Sequence, residues 1–267
     1  MTSRDQPSLG DAERDAIATA NPQLKVHISL AERAHNLVGD AVRKAVGTPA
    51  ASIPPARKVA SLLMMQLSNH LRCAIILSVR GYPAQTCVLT ASIYEAAFAV
   101  MAIAANDKAA ESWLAHDDPN RSFQEVTKLT AEGLRNLMLL PQQPKPKSDL
   151  TRIVERNYVV YRQLCWPKHL NPMFVQRHSR RDGGRGKLFN GPDTSDEAVK
   201  VACFALEHGA ILAASAAAVY LTAHVSLDLR PALVEEVNHL HRDLNNLRDD
   251  AIKKWGSKNP FAKQWRV

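Results

Sequence analysis

Arg162 and His169 are separated by six residues in Arg162-Gln163-Leu164-Cys165-Trp166-Pro167-Lys168-His169, a pairing of types suited to work on a phosphate. An imidazole can exchange the proton of a hydroxyl nucleophile or leaving group, while a guanidinium stabilises charge on the phosphate oxygens. The bland alternative is a basic helix end with His169 hydrogen-bonded near Asn171. A third candidate is Glu95, alone among apolar neighbours in Ala91-Ser92-Ile93-Tyr94-Glu95-Ala96-Ala97-Phe98. A carboxylate there must be paired or protonated. Pairing with Arg72 or His70 of the preceding helix gives it a structural role, and an unpaired Glu95 could act as an acid or base.

Positive charge is concentrated in one stretch. Residues 121–195 carry fourteen Lys or Arg against six Asp or Glu, which accounts for the whole formal charge of +8. The excess culminates in Arg177-His178-Ser179-Arg180-Arg181-Asp182-Gly183-Gly184-Arg185-Gly186-Lys187, read as a flexible Gly-rich loop. Arg177, Arg180, Arg181, Arg185 and Lys187 could wrap a phosphate backbone of RNA or DNA, with affinity falling steeply in salt. A solvated surface loop is the alternative reading.

Other constellations carry less. His239 and His241 are two apart on a helix and point about 200° from each other, so they cannot share an ion; both are expected on the solvent side. His208 reads as a satisfied helix histidine. Cys73, Cys87, Cys165 and Cys203 form no CxxC pair and are expected to be reduced and mostly buried. No phosphate-binding loop, HExxH or GxSxG motif occurs, and no metal or cofactor is implied.

The elements that must position these residues are helices. Apolar content is 46%, aromatics are 6%, and Ala-rich runs outnumber alternating β-branched ones. The fold class expected is all-α, a multi-helix bundle with a central apolar hairpin, Leu62 to Ala105, turned at Arg80-Gly81-Tyr82-Pro83, and a long C-terminal amphipathic helix. Gly81 offers a left-handed cap and Pro83 fits a first helical turn. Further helices are expected from about Leu30 to Gly47, over Asp107 to Leu114 with Asp107 as cap, and over 123–140 and 150–164. Thr194 and Glu197 have the spacing of a capping box opening a helix over 198–225. A last helix after Pro231 carries a coiled-coil-like stripe, Leu233, Val237, Leu240, Leu244 and Leu247, for its own bundle, a homodimer or another helical partner.

Residues 1–24 are expected as a flexible lead-in, 25–256 as one helical domain with the basic loop 176–195 inserted, and 257–267 as a tail. No apolar leader opens the chain. The run Gly209 to Ala223 falls short of the roughly 20 residues that span a bilayer. A cytoplasmic protein without membrane contact is therefore expected.

The run Arg80 to Ala97, followed by Asn106-Asp107-Lys108-Ala109-Ala110-Glu111-Ser112-Trp113, resembles a bacterial helical family of unassigned function. That family carries a Gly turn, a Ser-x-Tyr-Glu-Ala helix and a Tyr-x-x-Leu-Ser…His segment, here Tyr161-Arg162-Gln163-Leu164-Cys165…His169 with Cys165 in place of Ser. The resemblance covers about residues 60 to 225. It implies an all-α fold, and some relatives occur near abortive-infection or toxin genes; Glu95 and His169 are recurrent positions. The Arg162 to His169 spacing also resembles that of HEPN-type metal-independent ribonucleases, which would make the chain a defence or toxin effector that cleaves RNA. The rival expectation is a non-enzymatic interaction module acting through the C-terminal helix.

Overall fold

The computed structural model of the chain describes residues 8–19, 22–46, 53–118, 124–140, 149–169, 179–182, 185–188, 191–226, 228 and 230–256. Among them lie nine helices: α1 (Leu9–Ala18), α2 (Pro22–Val46), α3 (Pro55–Val79), α4 (Pro83–Ile103), α5 (Asp107–Leu114), α6 (Val126–Met138), α7 (Leu150–Cys165), α8 (Asp196–His224) and α9 (Arg230–Trp255). Two short strands, β1 (Ser179–Asp182) and β2 (Arg185–Leu188), pair antiparallel in the basic segment.

α4 and α8 are the two central helices and pack on each other; α3, α5, α6 and α7 also lie against α4, and α2, α3 and α9 against α8. The sequence dictates this placement. α4 has apolar or small residues nearly all round, so burial on every side is the arrangement that removes its surface from water. α8 is built on Ala202, Ala205, Ala210, Ala213, Ala214 and Ala217, all buried, whose short side chains let neighbouring helices approach closely. Around them run amphipathic helices with one buried face each. The α9 stripe, Val237, Leu240, Leu244 and Leu247, is buried in the same core against α2 and α8. Arg33 of α2 reinforces that seam by donating from Nε to Glu236 (3.0 Å) and from Nη1 to Asp243 (2.7 Å), residues seven apart on α9.

The α3–α4 turn closes as a two-bond helix cap. The Tyr82 amide donates to Leu77 O (2.8 Å) and the Gly81 amide to Ser78 O (3.2 Å), with Gly81 at φ 81°. A Cβ on Gly81 would stand 3.0 Å from Pro192, because Asp193 N donates to Gly81 O at 2.8 Å and seats the segment before α8 on the turn. Only glycine supplies both the left-handed backbone and the room. At Gly133, an ordinary helical position of α6, room alone favours glycine: an added Cβ would lie 2.9 Å from the Phe98 ring and 3.1 Å from Phe98 O on α4.

Several sequence expectations need correction. The first 24 residues include α1, whose N-terminus is a capping box: Ser8 Oγ accepts from Asp11 N while Asp11 reaches back to the Ser8 amide. α1 is held to the hairpin turn by Glu13, which accepts from Arg80 (3.0 Å) and from the Tyr82 hydroxyl (2.9 Å). The cap of α5 is Asn106, not Asp107; Asp107 instead accepts from Ala56 N (2.9 Å) and caps α3, whose Pro54 has no side-chain donor or acceptor to offer. Ser195, not Thr194, caps α8 by accepting from Ala198 N. His241 is not on the solvent side: it packs against α8 with Nε2 3.4 Å from Ser215 Oγ, and burial lowers its pKa, partly offset by a backbone bond at Ile211. The basic segment is not loop throughout, since Gly183-Gly184 separates two four-residue stretches that pair as strands.

The expectation of a cytoplasmic protein is overturned. Among the described residues three helices are long and apolar enough to cross a membrane: α3, α4 and α8, with mean hydropathy of 1.3, 1.7 and 1.6 in their best windows. The Gly209 to Ala223 run underestimated α8, which continues for 29 residues. α4 and α8 bury 78% and 89% of those windows within the protein, whereas α3 buries 39% and turns Leu62, Met65 and Ile76 outward.

Candidate functional site

The residues singled out for chemistry gather on α4, on α7 and on the turn that follows α7. α7 begins at Asp149, whose carboxylate accepts from Thr151 N (3.0 Å), and its inner face carries Tyr161, Leu164 and Cys165 toward α4 and α8. That orientation brings Tyr161 onto Glu95. The Tyr161 hydroxyl donates to Glu95 Oε1 at 2.6 Å, a short bond of the kind a carboxylate acceptor gives. Glu95 is half-buried, not sealed in the core.

Its hydrogen-bond partner is therefore neither of the two expected, although the charge of Glu95 is felt at His70, where it partly offsets the lowering of the imidazole pKa by burial. Arg72 lies 3.7 Å from Glu32 of α2, and the His70 ring meets Gln66 at 3.4 Å. The reason is helical phase. Arg72 points outward from α3, while the α4 face holding Glu95 is covered by α7.

An aromatic group surrounds the pair. The Tyr94 ring lies 4.6 Å from Phe98 and 5.0 Å from Tyr161, Tyr158 stacks on Tyr161 at 6.0 Å, and the Tyr94 hydroxyl bonds Thr130 of α6 at 2.9 Å. Burial pushes the Tyr161 phenol well up, and the negative charge of Glu95 pushes it further, so Tyr161 keeps its proton and serves as a donor. Cys165 sits beside it. Burial raises its thiol pKa, an effect opposed by the Tyr161 hydroxyl and Lys168 and reinforced by Glu95, so the sulfur is held as thiol and not as the nucleophilic thiolate. All four cysteines are free, and Cys73 alone is exposed.

Arg162 follows Tyr161 by one residue, is turned about 100° from it, and is exposed. His169 lies in the turn after α7, its amide donating to Cys165 O (3.2 Å) and its side chain exposed. Among the described residues no hydrogen bond or ion pair joins Glu95, Arg162 and His169. Glu95 faces the bundle through Tyr161, and the other two face solvent. The Tyr161 hydroxyl as the answer to Glu95 was missed in the sequence, although Tyr161 and Glu95 are polar members of largely apolar faces.

Arg177 lies outside the described residues. Arg180, Arg181, Arg185 and Lys187 belong to the ribbon, where Arg180 is registered with Lys187, Arg181 with Gly186 and Asp182 with Arg185. Among the described residues no helix packs extensively on it.

Compared with known proteins, the chain matches no family model, no curated protein and no solved structure. What the fold establishes is the class, an all-helical bundle.

Proposed function

We propose that this chain is a nucleic-acid-binding helical protein of the defence or toxin type that contacts RNA or DNA through its basic ribbon. The supporting observation is the make-up of β1 and β2, which place four cations among eight residues on a two-stranded antiparallel element. A ribbon of this kind fits the major groove of a duplex and can lie along a single strand, with Arg and Lys paired to phosphates.

Binding of labelled RNA and DNA, followed by fluorescence anisotropy over a series of salt concentrations, tests this reading. Replacing Arg180, Arg181, Arg185 and Lys187 with Gln is expected to weaken binding and to flatten the dependence of log K on log salt by about 3. Unchanged affinity in that variant removes the ribbon's role.

A ribonuclease activity resembling the HEPN type is the second reading, and the exposure of both Arg162 and His169 favours it. Its chemistry would use His169 on the proton and Arg162 on the phosphate. Loss of RNA cleavage in Arg162→Ala/His169→Ala is the expected result, and equal cleavage by parent and variant removes it. The rival reading, an interaction module acting through α9, has little surface to use, because the apolar stripe of that helix is buried in its own bundle.

A further inference from the structure

We infer that the outward faces of α6 and α7 form a second cationic surface that holds the sugar-phosphate backbone of the same nucleic acid, away from the ribbon. This rests on the nucleic-acid reading above but on a separate observation. Lys128 and Arg135 of α6 and Arg152, Arg156 and Arg162 of α7 are all exposed, and among the described residues none of them has an ion-pair partner. Elsewhere among the described residues exposed cations without an ion pair stand singly, Lys25 on α2, Lys58 on α3, Lys108 on α5 and Arg242 on α9, and others are paired. Arg33, Arg72, Arg80, Lys200, Arg248 and Lys253 each meet a carboxylate within ion-pairing distance.

The carboxylates of these two segments, Glu125, Glu132, Asp149 and Glu155, number four against the five cations, so the field is weakened but its net sign stays positive. Glu125, Glu132 and Glu155 make no ion pair with these cations among the described residues, and Asp149 is engaged at the α7 N-terminus. An Arg or Lys without a partner can pair with phosphate and release counterions without first breaking an internal bridge.

Helical geometry arranges the five usefully. Lys128 and Arg135 are seven residues apart and so lie about 10 Å apart on nearly one line; Arg152 and Arg156 are about 6 Å apart on one face of α7. Both helices turn their inner faces to α4, through Thr130 to Tyr94 and through Tyr161 to Glu95, so both outer faces open on the same flank. An anionic bilayer is the poorer fit. An interfacial helix needs a broad apolar face beside its cations, and here only Leu139 and Val159 are large exposed apolar side chains.

The test uses the full chain, a labelled RNA oligonucleotide, a labelled DNA duplex and phosphatidylserine vesicles, with Arg162 kept so that any cleavage is unaffected. Lys128→Gln/Arg135→Gln and Arg152→Gln/Arg156→Gln are each expected to reduce the salt slope by about 1.5, and the fourfold variant by about 3 with at least roughly tenfold weaker binding. Circular dichroism should match the parent, since all four side chains are exposed; should the fourfold variant misfold, the two double variants decide. Parent-like affinity and slope in the double variants, with binding lost in the ribbon variant, overturns this inference and leaves the ribbon reading standing. Failure of the parent to bind either probe, or binding only to phosphatidylserine vesicles, overturns both.

Discussion

Arg248 Nε donates to Glu207 Oε1 at 2.6 Å, fastening α9 to α8 over a carboxylate that is only 4% exposed. Arg248→Met leaves that carboxylate buried without its cation and is expected to cost roughly 3 kcal/mol, the low end for a buried pair because Arg248 is still 28% exposed. The double replacement Glu207→Leu/Arg248→Met should recover most of the loss, since two apolar side chains have no charge to desolvate. Urea midpoints of the three proteins check this, and equal losses in the single and double variants would show that packing, not charge, is at stake.

Tyr161→Phe removes the donor to Glu95 and keeps the ring stack. A loss of about 1.5 kcal/mol is expected, as for a hydrogen bond to a charged group at a site water can still reach. Glu95→Gln, which retains an acceptor, should lose less. Chemical denaturation orders the two, and a larger loss in Glu95→Gln contradicts the assignment of Tyr161 as the partner.

Gly133→Ala pits helix propensity, a gain of about 1 kcal/mol, against overpacking on Phe98 and Met101, a cost of about 1–3 kcal/mol. Two of the three nearest atoms, Met101 Cβ and Phe98 O, cannot swing aside, so a net loss is expected. A raised melting temperature would mean that α6 can move off α4 freely.

His27 is 2% exposed, bonds Gln23 O through Nδ1 (2.9 Å), and among the described residues has no hydrogen-bond partner at Nε2. Burial lowers its pKa, offset in part by the Gln23 carbonyl and by the charge of Glu207. The unfolded chain therefore takes up a proton near pH 6.5 that the folded chain refuses. The stability tied to this residue is complete above that pH and falls as pH drops from there to the lowered folded value, by at most about 1.4 kcal/mol per pH unit. His27→Leu should flatten the acid limb of a melting-temperature profile, and an unchanged limb rules His27 out as its cause. His241, lowered by burial as well, contributes on the same side.

Periodicity and helix punctuation carried most of the architecture. The hairpin turn at Gly81, the central place of α4 and the apolar stripe of α9 follow from patterns within each segment, and local pattern is what a single sequence displays; that pattern does not choose between the stripe's own bundle and a partner helix. Caps failed where the choice lay between neighbours: Asn106 over Asp107 and Ser195 over Thr194 depend on which side chain the surrounding helices leave free, and Asp107 was drawn to α3, 51 residues earlier. The partner of Glu95 failed for the same reason. Arg72 is nearer along the hairpin, but α7 arrives from 66 residues away and covers that face. Membrane-length apolarity was misjudged because α8 was measured by its densest run and not by its full helical length.

The anchoring of Asp193 on Gly81 sets a leash for the ribbon. β2 ends at Leu188, and five residues of chain reach at most roughly 18 Å. A ligand held by the ribbon would thereby be kept within a short radius of the α3–α4 corner, and a pull on it would be delivered to the head of α8, a deeply embedded rod of the molecule.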